Sequence, residues 1–147
     1  MQVQINGFLE DRAMAIAGLS RTGKKFGNIA YKTLTGKGFS LYPLHPKTQE
    51  IEGIKCYASL TELPQDVKNL LLVVPASQSE AIVQQVPESS IKRVWMQQGA
   101  ESDTAIRFCH EHDILVIHSQ CILMHAEPKG IHKLHHWLSG MFGKLAH

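Results

Sequence analysis

A chain of 147 residues is the size of one domain and long enough to bury a core without disulfides or structural metals. Its net charge of +2, with no run of lysines and arginines, excludes a basic nucleic-acid-binding arm, and no apolar run approaches the length that spans a bilayer. Cys56, Cys109 and Cys121 are odd in number and lack C-x-x-C spacing, which speaks against a disulfide framework or a thiolate zinc site and for reduced thiols in a cytoplasm. Residues 1–6 lack a basic segment followed by an apolar one, so no export signal is expected.

In chain order, Asn6 is placed to cap a short helix over residues 7–12. Ala13, Met14, Ala15, Ile16 and Ala17 are too few for a globular helix but enough for a buried strand. Gly18 then lets the backbone turn sharply where a side chain would obstruct a ligand. Leu19, Ser20, Arg21, Thr22, Gly23, Lys24 and Lys25 continue as a basic, hydroxyl-bearing loop into a helix, whose first N–H groups favour an anion.

Known phosphate loops make different demands on this stretch. The dinucleotide pattern G-x-G-x-x-G fails because Ser20 stands where its second glycine belongs. The pattern G-x-x-x-x-G-K-[ST] fits at Gly18, Gly23 and Lys24 but ends on Lys25, which has no hydroxyl to hold magnesium. The later apolar strand over residues 69–74 ends in Pro75, where a metal-binding Asp would be wanted. A phosphate loop is retained and nucleotide hydrolysis is not.

After the loop, Ile29, Ala30 and Leu34 give a helix with one apolar side, stopped by Gly36, Lys37 and Gly38. Residues 39–44 form the next strand, and Pro43 and Pro46 pin its end in an extended shape. An NAD-binding fold would carry Asp or Glu there for the ribose; this chain has His45 and Lys47, which suit a ribose-phosphate. A short segment over residues 54–57 precedes Ser59 and Glu62, spaced as a capping box. Residues 69–74 are continuously apolar after Asn69, as a parallel strand covered on both faces tends to be. Ser77 and Glu80 form a second box before Ala81, Ile82, Val83 and Val86. Val94, Trp95 and Met96 lead to Gln97, Gln98 and Gly99. Glu101, Ser102 and Asp103 open a helix with Ala105, Ile106, Phe108 and Cys109 on its apolar side, and residues 114–117 are the last strand. Alternating strands and helices predict an α/β fold: one domain with a mainly parallel sheet and helices on both faces. Ligands then sit beyond the carboxyl ends of the strands, at Gly18, His45, Pro75, Gln98 and His118.

The ordered set of residues 15–20, 38–47, 56–60, 73–75 and 94–99, with Cys121, resembles the small stand-alone CoA-binding domain proteins, related in fold to the CoA-binding domain of the succinyl-CoA synthetase alpha subunit. The resemblance implies a Rossmann-like domain that holds CoA or an acyl-CoA at the turn of Gly18 and Leu19, with Ser20, Arg21 and Thr22 at the pyrophosphate. It also implies Lys47 near the ribose-phosphate, Pro75 on the adenine side, and Gln98 and Gly99 along the pantetheine arm. The chain departs from the family's pattern at His45, where Asn is frequent, and at His118, where Asp or Asn is frequent. The synthetase's second domain and phosphohistidine loop have no counterpart, so ligase chemistry is not implied. The residues agree independently: CoA brings a pyrophosphate and a 3'-phosphate, and the chain offers a helix start with Arg21, Lys24 and Lys25 for one and Lys47 for the other.

Three other constellations carry less. His132, His135 and His136 lie on a predicted helix without a nearby carboxylate or cysteine, so no metal site is expected. Cys109, His110, Glu111 and His112 continue a helix whose polar side faces water. Cys121 follows the last strand at the ligand edge, near where a CoA thiol would approach. Beyond it, Ile131, Leu134, Trp137, Leu138, Met141, Phe142 and Leu145 recur at helical spacing. The expected organisation is therefore a binding domain over 1–124 and an amphipathic helical tail over 125–147, packed on the domain, a twin subunit or a partner protein. The expected function is a non-catalytic CoA or acyl-CoA module without metal or nucleic acid; the rival is an enzyme using NADP or acyl-CoA through His118 or Cys121.

Overall fold

A computed structural model describes residues 2–21 and 25–126. Its elements run α1 (Gln2–Glu10), β1 (Ala13–Ala17), α2 (Phe26–Gly36), β2 (Ser40–Leu44), β3 (Glu50–Ile51), β4 (Ile54–Lys55), β5 (Asn69–Leu72), α3 (Ala76–Val83), β6 (Arg93–Met96), α4 (Asp103–Glu111) and β7 (Leu115–Ile117). Five strands form one parallel sheet in the order β2-β1-β5-β6-β7, and β3 and β4 make a small antiparallel hairpin beside it. No helix of the described residues is long and apolar enough to cross a membrane.

Helices cover both faces, as expected. On one face, Ile5 and Phe8 of α1 and Ala30 and Leu34 of α2 pack on Met14, Ile16, Leu71, Trp95 and Ile117. On the other, Val83 of α3 and Ala105 and Cys109 of α4 pack on Ala15, Ala17, Leu70, Leu72, Val94 and Met96. The period of two along β1, β5 and β6 therefore splits each strand between two cores, which is why these strands read as continuous apolar runs. Trp95 anchors the first core, edge-on to Phe8 with ring centroids 5.3 Å apart, and its indole N–H donates to the Gln120 carbonyl. At the amino end of β5, buried Asn69 donates to the Phe8 carbonyl at 2.7 Å and accepts from Arg93 Nε at 2.6 Å, while Arg93 also meets Asp11, tying α1 to two strands.

The end of α2 follows the expected stop. Gly38 takes φ +95°, its N–H donates to Thr35 and the Phe39 N–H donates to Leu34, so the last carbonyls of the helix are satisfied by a glycine turn.

Several local expectations are corrected. Asn6 lies inside α1 and does not cap it; its side chain accepts from Gln2, one turn earlier. Ser59 does not cap the short 3-10 turn Leu60–Glu62, and its hydroxyl meets Thr61 and the Glu62 carboxylate instead. The helix α3 begins at Ala76 behind Pro75, so Ser77 is within it, and the Glu80 carboxylate accepts from Ser102 on the neighbouring helix. Ser102 does cap α4, accepting from the Ala105 N–H. Strand β5 ends at Leu72, two residues short of the predicted end, although the Val73 N–H still donates to the Ala17 carbonyl of β1 at 2.9 Å. Of the predicted tail, His125 and Ala126 pack on the first core. The rest, with His132, His135 and His136, lies outside the described residues.

Candidate functional site

Parallel strands put all five carboxyl ends on one edge. From β1 the chain crosses to β2 on one side, and β5 then pairs with β1 on the other. The loops leaving β1 and β5 therefore diverge and open a crevice, the place where open α/β sheets take ligands. A cleft of about 450 Å³ lies there, within the range of small-molecule sites. Gly18, Leu19 and Lys25 line it from the β1 side, His45 and Pro46 from the end of β2, and Val74, Pro75, Gln78 and Ile82 from the β5 side.

Backbone contact explains the glycines of this loop. Gly18 has φ +126°, and a Cβ there would lie 2.2 Å from the Val73 carbonyl oxygen. A Cβ on Gly27, in the first turn of α2, would lie 2.4 Å from the carbonyl oxygen of Gly18. The turn after β1 is thus held between the strand end beside it and the helix it enters, with no room for a methyl on either side. Asn28, 4% exposed, holds the next residue from both ends: its Oδ1 accepts from the Ser20 N–H at 2.9 Å and its Nδ2 donates to the Ser20 carbonyl at 3.0 Å. Among the described residues, no side chain is seen to cap α2, whose N-cap is Lys25.

His45 closes the β2 side. Its Nδ1 accepts from the backbone N–H groups of Lys47 at 3.2 Å and Thr48 at 3.1 Å, and its backbone N–H donates to the Tyr57 carbonyl at 2.8 Å. Burial lowers its pKa first, and Arg21, Lys47 and Lys25 lower it further. Basic residues of the β1 loop, the start of α2 and the end of β2 are thus near enough to His45 to disfavour its charged form.

Of the residues singled out from sequence, Gly18, Leu19 and Pro75 line the cleft. Ser20 sits in the clamped turn, and Arg21 and Lys47 are exposed beside it. Thr22 and Lys24 lie outside the described residues. Gln98 and Gly99, the latter with φ +93°, are exposed at the end of β6, along the same edge but outside the cleft lining. His118 contacts Ser119 Oγ at 3.1 Å, and that hydroxyl donates to Glu101 at 2.7 Å. Cys121 is 6% exposed, and burial pushes its thiol pKa up, which disfavours the thiolate.

Residues 12–127 match the family described as "CoA binding domain", most of the chain. The chain belongs to the CoA-binding domain family. It is similar to a conserved hypothetical protein of known structure from Pyrococcus furiosus, 38% identical with a TM-score of 0.72, over 77% of this chain and 97% of that one. It is 32% identical to the ADP-forming acetate–CoA ligase of Methanocaldococcus jannaschii over 55% of this chain, and 25% identical over 78% to the alpha subunit of the ADP-forming acetate–CoA ligase II of Pyrococcus furiosus. The chain spans 12% and 28% of those two ligases.

Two residues of this CoA-binding domain went unnoticed as site residues in the sequence, and a third was read for the wrong property. Gly27 was visible only as one more glycine, and its partner Gly18 is nine positions away. Asn28 reads as an ordinary early helix residue; nothing local says that its amide reaches back to Ser20. His45 was singled out for charge, whereas its observed work is to accept backbone hydrogen bonds.

Proposed function

We propose that this chain binds CoA or an acyl-CoA in the cleft between the ends of β1, β2 and β5, as a binding or regulatory module with no reaction of its own. The observation that carries the reading is the pairing of two unlike surfaces in one crevice. Lys25 lines it, with Arg21 and Lys47 near enough to lower the pKa of His45, and Val74, Pro75, Ala81 and Ile82 form an apolar wall on the β5 side. CoA has the same division, two anionic phosphate centres beside an adenine and a pantetheine arm. Membership of the family supports the ligand class.

In this reading the turn of Gly18 and Leu19 admits the pyrophosphate, with Ser20, Arg21, Thr22 and Lys24 around it. Lys47 reads the 3'-phosphate, Pro75 flanks the adenine, and Gln98 and Gly99 guide the pantetheine arm toward the ends of β6 and β7. A raised thiol pKa at Cys121 favours a binding role over thiol chemistry. The tail over 125–147 packs on the domain or on a partner, a second copy included, and three buried free thiols suit a cytoplasmic protein. The reaction of the far longer ligases is not carried over.

Calorimetry with CoA, dephospho-CoA, NADP and ATP tests the reading. CoA should bind tightest, and Lys47→Ala should remove the difference between CoA and dephospho-CoA. Binding of NADP or ATP without CoA would overturn it in favour of an enzyme acting through His118 or Cys121.

A further inference from the structure

His45 contributes two things to the cleft that pull in opposite directions. As a base, its Nδ1 gathers the N–H groups of Lys47 and Thr48 and so sets the path of the backbone that carries the Lys47 side chain. Asn and Asp side chains form turns of this kind with an oxygen that stays an acceptor at neutral pH. A histidine does so only while that nitrogen is unprotonated, because imidazolium has two donors and no acceptor. As an acid, the same ring would add a cation beside the phosphate site.

We propose that His45 is a positioning residue for anion binding: its unprotonated Nδ1 holds the Lys47 turn in the shape that reads a ligand phosphate, so affinity for the anion falls when the ring gains a proton. The inference rests on the reading of the cleft as a CoA site. Among the described residues, the charged groups that act on His45 are Arg21 from the loop after β1, Lys25 at the start of α2 and Lys47 in its own turn, all cations. From the segment after β4 comes Tyr57, whose carbonyl takes the His45 N–H and whose ring lies under the Lys55 ammonium. Across the cleft α3 presents Gln78 and Ile82, and its Glu80 is engaged by Ser102. Protonation thus meets cations in the free protein. In moderate salt the gain from one more partly exposed charge is screened, whereas the loss of the one acceptor that serves two backbone N–H groups is not.

The test is calorimetry of the full chain with CoA at about pH 8 and about pH 5, on either side of the ordinary histidine range, in wild type, His45→Ala and His45→Asn. At the higher pH, His45→Ala should bind CoA roughly tenfold more weakly, and His45→Asn, which restores a non-titrating acceptor, should stay within about twofold of wild type. On acidification wild type should lose affinity relative to His45→Asn, which carries only the titration of the ligand and of the other groups. If His45→Ala does not fold, the pH comparison of wild type with His45→Asn decides alone. Identical pH profiles for those two, or undiminished binding in a folded His45→Ala, would overturn the role of His45 and leave the CoA site standing. Absence of CoA binding in wild type at both pH values would overturn both.

Discussion

Replacement of Gly27 by Ala tests the packing of the phosphate loop most sharply. The new Cβ would lie 2.4 Å from the Gly18 carbonyl oxygen and 2.7 Å from its carbon, whereas ordinary contact begins at 3.4 Å. Both atoms are backbone, so no side chain can swing aside; the helix start and the turn must separate by about 1 Å. Two effects compete. Alanine in place of glycine in a helix stabilises by up to about 1 kcal/mol, and overpacking of a rigid contact costs about 1–3 kcal/mol. The clash should win, because Gly18 is itself backed by Val73 and cannot retreat. Urea denaturation should give a net loss of about 1–2 kcal/mol. Calorimetry should give CoA affinity reduced by tenfold or more, equivalent to about 1.4 kcal/mol, since the displaced turn is the one read as holding the pyrophosphate. An alanine variant more stable than wild type with unchanged CoA affinity would refute the reasoning.

Further outcomes follow from other contacts. Asn28→Ala leaves the Ser20 N–H and carbonyl without their amide partners and should weaken CoA binding more than it lowers stability, as read by calorimetry beside chemical denaturation. Asn69→Leu places an apolar group against the Phe8 carbonyl and the Arg93 guanidinium, and should cost about 2–4 kcal/mol by denaturation with little effect on the distant cleft. Burial pushes the Cys109 thiol from 9.0 up to about 11. Because the folded state holds this proton more tightly, its contribution to stability is full below pH 9 and is lost as pH rises toward about 11. Alkylation of Cys109 near neutral pH should accordingly be far slower in the folded chain than in urea, and equal rates would contradict that burial.

The parts of the fold governed by local pattern were legible. Apolar runs located every strand of the main sheet, and their alternation with helices gave a parallel sheet whose carboxyl ends share one edge. Gly18, His45 and Pro75 were picked out because they follow strands, and the sheet order brings all three to one cleft. Contacts between distant residues were not legible. Glu80 sits three positions from Ser77, which suggested a cap, yet its carboxylate is engaged by Ser102, 22 positions on. The clamp of Asn28 on Ser20 closes only when the turn folds back over the start of α2, and no periodicity announces it. The β3–β4 hairpin is too short for alternation to mark. Gln97 was read only as a strand end: 1% exposed, it accepts the Ile122 N–H on Oε1 and so ties β6 to the segment after β7.

The central claim, that CoA occupies the crevice between the ends of β1, β2 and β5, is tested most directly by titrating the isotope-labelled protein with CoA and following its backbone amides by NMR. The account predicts saturable shifts at Gly18, Leu19, Ser20, Lys25, His45, Lys47 and Val74, with Lys92 and Asp113 at the opposite edge unmoved. Saturable shifts confined to the opposite edge, or no shifts at all, would contradict it.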